Sequence, residues 1–215
     1  KNDKEVEVQA FDHWSLDTKQ NAWFTVSSFD AVFETLNPKP EWIKVFSDNG
    51  GHYHSFEIMA VVSNWYQWYT IEVKDWYFFE AGEAKSLVDS HHAAILHAIA
   101  RYVRVGRDLD SGKKIQEAIQ DLGGTRVAHI EPLRDHVVVK TIKEITSFSH
   151  WKWPINGENA GFILARALPN IGEWRLFSPT DVSKLTEKKI KKPNPNISTY
   201  TKPSKEWIVS ILQES

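Results

Sequence analysis

A mixed α/β fold is predicted for this chain by three observations. Short runs of β-branched and aromatic residues are bounded by turn formers, apolar positions recur at helical intervals between those runs, and 215 residues suffice for one sizeable core with a small satellite. Val6–Phe11 alternates apolar and polar, as a half-buried strand does. Ala22–Ser27 follows a polar turn with a second β-branched and aromatic run, so the two are expected to form a hairpin. Phe29, Val32, Phe33 and Leu36 are spaced for a short helix that Pro38 and Pro40 terminate. Trp42–Phe46 reads as a strand, and the glycines at 50 and 51 allow a sharp turn where it stops, which places Asp48 at the strand's carboxyl end. Phe56–Tyr69 reads as a helix and Ile71–Phe79 as a strand. A long helix is expected from Gly82 through Val103, its stripe formed by Leu87, Ile95, Ile99 and Val103. Ser111–Leu122 has the cap and period of another helix, ended by Gly123 and Gly124.

The character changes near Glu131. Val137–Ile142, Gly161–Arg166 and Trp174–Phe177 look like short strands of a small β module; Lys184–Lys192 is basic, Pro193–Pro203 is a linker, and Lys205–Gln213 suits a terminal helix. The expected organisation is therefore 1–130, 131–180 and 181–215. Composition narrows the function classes. No residue is cysteine, so disulfide frameworks and cysteine-based zinc fingers are excluded, and nothing requires an oxidising compartment. The amino terminus lacks Met and an apolar signal core, which suggests a fragment, and no apolar run approaches the ~20 residues of a membrane span. A net charge of −2 disfavours a protein wrapped in nucleic acid but leaves room for local basic patches. Ten Trp residues imply buried core for most and stacking platforms for some.

The acids carry the chemistry. Strand, strand, helix, strand with Asp48, helix, strand, long helix is the order of a ribonuclease H-like mixed sheet with flanking helices that lacks its first strand. Two-metal phosphoryl transfer needs carboxylates that hold two cations roughly 4 Å apart, one for the attacking and one for the leaving oxygen. Asp48 stands where that fold puts its second acid. Glu80, Glu83 and Asp89 lie around the start of the long helix, and 34 residues separate Asp48 from Glu83.

Two segments, SDNGGHYH at Ser47–His54 and WYFFEAGEAKSLVDSHHA at Trp76–Ala93, resemble the core of transposase- and integrase-derived proteins of mobile elements with a ribonuclease H-like DDE domain; the segment Asp12–Thr25 is similar to what precedes the aspartate there. The resemblance spans about Val6 to Arg134. It implies a DNA strand-transfer or nuclease domain using Mg²⁺ or Mn²⁺, with Asp48 as second acid, Asp89 as third, Glu83 as competitor for that place, and Lys85 at a substrate phosphate. It also implies a nuclear, intracellular protein that can self-associate. The first acid should sit on a strand preceding Lys1; Asp12 is the one convenient substitute, although 35 residues between it and Asp48 are few for the intervening elements. A chain without that strand is expected to be inactive by itself, and a domesticated or truncated module that binds nucleic acid or protein without chemistry is the rival reading.

Bland roles stand beside each residue. Asp48 suits a turn, Glu83 favours a helix start, and Asp89 suits a solvated helix face. His52, His54, His91, His92 and His97 invite zinc, yet adjacent histidines on a helix point about 100° apart; lining an acidic pocket is the better role. Arg101 and Arg104, with Arg107, and Lys188 and Lys189 form two basic clusters that can bind DNA phosphates or simply face solvent. Trp151 and Trp153 share one strand face and are expected in the core.

Overall fold

The structure, a computed structural model, describes residues 3–79, 87–132 and 137–212. The chain is α/β with mixed sheets, and it divides into two compact units, one of residues 1–17, 85–131 and 196–215, the other of 18–84 and 132–195.

The second unit carries Asp48. Helix α1 (Ala22–Thr35) begins at Asn21, whose side chain accepts from the Phe24 amide at 3.1 Å. It absorbs the segment Ala22–Ser27 expected as a strand. Ala22, Trp23, Val26 and Phe33 are buried at helical spacing, and the Trp23 indole donates to Glu57 at 2.9 Å, so tertiary burial overrides β-propensity here. Strands β3 (Trp42–Ser47) and β4 (Glu72–Phe78) are parallel, joined by helices α2 (Phe56–Val62) and α3 (Trp65–Tyr69). The single helix expected over Phe56–Tyr69 breaks at Ser63 and Asn64, whose side chains bond back to carbonyls of the preceding turn. Every residue of α2 except Glu57 is buried, which is why it reads as a continuous apolar run and not as a stripe.

Strands β6 (His150–Lys152), β7 (Ile163–Arg166) and β8 (Arg175–Phe177) add antiparallel to β4, giving a five-stranded sheet in the order β3-β4-β6-β7-β8. The short strands after residue 131 thus share a sheet with the Asp48 strand. Val137–Ile142, expected as a further strand, contributes only an isolated bridge from Val139 to Thr186. One sheet face packs on the helices through Trp76, Phe78, Trp151 and Ala165, and Trp151 and Trp153 are both core as expected. Helix α6 (Pro179–Leu185) follows β8 from a reciprocal Ser178–Asp181 capping box.

In the first unit, the expected strand Val6–Phe11 is two strands. β1 (Asp3–Glu7) pairs antiparallel with β10 (Ile208–Leu212), and β2 (Ala10–Trp14) pairs parallel with β5 (Thr125–Glu131). The carboxyl-terminal segment expected as a helix is therefore strand β10, which pairs residue for residue with Asp3–Glu7. β9 (Asn196–Ile197) adds to β5 from within the Pro/Asn linker. Helix α4 (Leu87–Arg104) is the expected long helix, and α5 (Gly112–Ile119) follows it, tied by a Tyr102 hydroxyl that donates to Glu117 at 2.9 Å. Gly112 opens α5 because a side chain there would meet the Trp14 indole at 2.1 Å. Among the described residues no helix is long and apolar enough to cross a membrane.

Candidate functional site

Asp48 follows directly on β3, an edge strand of its sheet. The turn after it is built in detail. The Gly50 amide donates to Asp48 Oδ1 at 2.9 Å, and the Gly50 carbonyl accepts from the Tyr53 and His54 amides at 2.9 and 2.8 Å. Ser55 then caps α2 by accepting from the Ile58 amide. His54 Nδ1 bonds the Asn49 side chain, and its ring lies 4.0 Å from Phe78 in a stacked arrangement. Burial holds the His54 pKa below its ordinary value against the nearby Phe148 and Ile145 carbonyls, so the ring is a neutral packing element and not a cation at pH 7. The turn is anchored from both sides, and the exposed Asp48 carboxylate is held at the strand's end as the sequence reading placed it.

The other acids fall elsewhere. Asp12, on β2, accepts from or ion-pairs with His91 Nε2 at 2.8 Å, both on the first unit, and Trp207 stacks over the His91 ring. The partner of His91 is thus Asp12, within the first unit. Asp89 is exposed in the first turn of α4, beside the helix's amide end. Glu80, Glu83 and Lys85 lie outside the described residues. Arg101 and Arg104 are exposed in the last turns of α4, where cations also favour the helix dipole. Lys188 and Lys189 are exposed and line, with Asn64, Ser183 and Thr186, a cavity of about 590 Å³.

Whether these residues suit Mg²⁺ or Mn²⁺ turns on the donor set. A methyl group on Gly50 would lie 2.9 Å from both Asp48 Oδ1 and the His52 ring, so a carboxylate and an imidazole flank that glycine. Among the described residues no three His, Asp or Glu side chains converge, and Asp48 belongs to one unit while Asp12 and Asp89 belong to the other.

Sequence reasoning missed a second constellation in the Asp48 unit. Asp75, 5% exposed, accepts from His150 Nε2 at 2.8 Å and pairs with Lys44 and Lys152 at 3.2 and 3.3 Å. Arg166 Nε donates to His150 Nδ1 at 3.0 Å; because a guanidinium only donates, the His150 proton must sit on Nε2, pointed at Asp75. Burial would raise the Asp75 pKa, but the bonds from His150 and Lys44 and the Lys152 charge bring it below the ordinary carboxylate value. His150 stays neutral because burial lowers its pKa against Asp75. The legible signal was alternation: if Trp151 and Trp153 face the core, His150 and Lys152 share the opposite face, as do Asp75 and Tyr77 opposite Trp76. Searches of known protein families, of curated proteins and of solved structures return no match to this chain.

Proposed function

We propose that this chain is a DDE-type, ribonuclease H-like domain of transposase descent whose partner is nucleic acid, with Asp48 as its second acid. The observation that carries the reading is the position of Asp48: at the carboxyl end of a parallel strand that is joined by helices to its parallel neighbour. Ligands in open α/β sheets bind outside the carboxyl ends of strands. Strand transfer or nuclease chemistry, with Asp89 and Glu83 as the further acids the resemblance implies, would use a pair of Mg²⁺ or Mn²⁺ ions for charge stabilisation at the attacked phosphate. Asp12, the substitute for the first acid in this reading, has one carboxylate oxygen 2.8 Å from His91 Nε2 and the other left over.

Arg101, Arg104, Lys188 and Lys189 are the proposed phosphate contacts, and DNA the proposed partner. Fluorescence anisotropy with labelled oligonucleotides across a salt series tests this. Affinity is expected to fall linearly on a log–log plot against salt, with about 0.7 (single strand) to 0.9 (duplex) of slope for each phosphate neutralised. Absence of salt-dependent binding to either form would overturn the reading.

A further inference from the structure

The five-stranded sheet has an outer face opposite its core, and that face is ordered in two rows. Register pairs Phe46 with Tyr77, Tyr77 with His150, and His150 with Arg166 across β3, β4, β6 and β7. Their rings form a continuous line: Phe79 lies 5.7 Å from Phe46, Phe46 5.2 Å from Tyr77, Tyr77 4.3 Å from His150, and His150 5.0 Å from Trp174. The first three contacts are stacked, so Tyr77 is sandwiched between Phe46 and His150, and Phe46 on the edge strand and Trp174 stand at the two ends of the line. Phe46 is 57% exposed, Tyr77, Phe79 and Trp174 are half-buried, and His150 forms the floor. The Arg166 guanidinium sits 4.2 Å from the Trp174 ring centre, a planar cation on an aromatic face.

The second row runs alongside, two residues back along the strands. Lys44, Asp75 and Lys152 meet across β3, β4 and β6, and both lysine side chains keep roughly two-fifths of their surface in solvent, 43% and 38%. A cavity of about 260 Å³ opens on this row, lined by Lys44, Lys74, Asp75 and Lys152 with Glu72 and Trp153. Asp75 balances one charge of the face; Lys44, Lys152 and Arg166 leave it net positive. An ordinary sheet face left to water carries polar residues at these positions. Rings for one row and cations for the next match the two halves of a single-stranded nucleic acid, whose bases stack on π faces while its phosphates track a positive groove.

We propose that this outer sheet face binds single-stranded nucleic acid, with bases stacked on Phe46 and Trp174 and phosphates held by Lys44, Lys152 and Arg166. The surface shares its partner class with the function proposed above, but it needs neither Asp48 nor a divalent cation. The stacking mode discriminates against duplex, whose bases are already stacked on one another.

The test is anisotropy of labelled dT15 and rU15 with the full chain in EDTA. Phe46→Ala and Trp174→Ala are each expected to weaken binding about tenfold, consistent with the loss of one stacked base, and Lys152→Gln to flatten the salt slope by about 0.7. Circular dichroism checks folding, and Phe46, being the most exposed ring, serves if Trp174→Ala does not fold. Unlabelled duplex is expected to compete poorly. If both aromatic variants bind as the parent does while Arg101→Ala/Arg104→Ala or Lys188→Ala/Lys189→Ala abolishes binding, this face is overturned and the nucleic-acid reading stands. Equal competition by duplex or heparin, with no effect of the aromatic variants, overturns it in favour of plain polyanion binding. If Phe46→Ala instead changes the sedimentation coefficient with no oligonucleotide bound, a second copy of the chain is the occupant and the proposal fails. No binding of any nucleic acid overturns both.

Discussion

Replacing Trp76 with alanine is expected to cost the Asp48 unit about 4 kcal/mol, lowering its urea midpoint by about 2 M. Trp76 is fully buried at the centre of the sheet's core face, in contact with Phe29, Trp65, Phe78 and Trp153, and its indole donates to Ser47 Oγ at 2.9 Å. Truncation removes the largest side chain, leaves a cavity that four aromatic neighbours cannot jointly fill, and strips a partner from the residue before Asp48. Phe46→Ala is the control. It deletes an aromatic ring from the same sheet's outer face, where more than half of it is already in water, and should stay within about 0.5 kcal/mol of the parent. A loss for Phe46→Ala as large as that for Trp76→Ala would contradict the placing of Phe46 on the solvent face.

The other unit is expected to lose about 3 kcal/mol between pH 6.5 and 4. His13, on β2, shares a 2.5 Å hydrogen bond with the Tyr200 hydroxyl and packs against that ring, and burial lowers its pKa to about 4 despite the opposing charge of Asp12. The unfolded imidazole titrates at 6.5, so between the two values the unfolded chain binds the extra proton. The contribution is complete above pH 6.5 and is lost as pH falls to about 4. Urea midpoints for this unit should follow that window, and His13→Phe should flatten it. In an NMR titration the His13 ring signals should move near pH 4; movement near 6.5 would show the ring to be solvated and remove the effect. His54 and His150 act in the same direction but belong to the Asp48 unit.

Local pattern conveyed much of this architecture where period and caps agreed. β3, β4, α4, α5, β7 and β8 all lie where runs and breakers put them, and Asp48 stands at its strand's end because a β run followed by Asn-Gly-Gly has few other readings. The failures share a cause. Ala22–Ser27 is apolar on nearly every residue, which suits a buried strand and a buried helix equally; the Asn21 cap decides the matter, and it signals only when taken together with the run beyond Ser27. Ile208–Leu212 became a strand because β1, some two hundred residues earlier in the chain, offers an edge to pair with. The candidate site divides along the same line. The Asp48 turn is local and was legible. The pairing of Asp12 with His91, and the row from Lys44 through Asp75 to Lys152, depend on strand register between distant segments, which no local window contains. His150 could have been suspected from its alternation with Trp151, but its tautomer follows only from Arg166 at 3.0 Å.

The role proposed for Asp48 is that of an acid placed for a divalent cation and not merely a turn former, and titration calorimetry with Mn²⁺ on the chain and on Asp48→Asn tests it. Asparagine keeps an oxygen for the Gly50 amide, so the turn survives while the charge is removed. The expected result is a weak, single-site isotherm in the parent that is lost in Asp48→Asn and weakened in His52→Ala, with unchanged folding. Mn²⁺ binding of the same strength in both proteins, or in neither, would contradict the claim and leave Asp48 as the residue that closes the β3 turn.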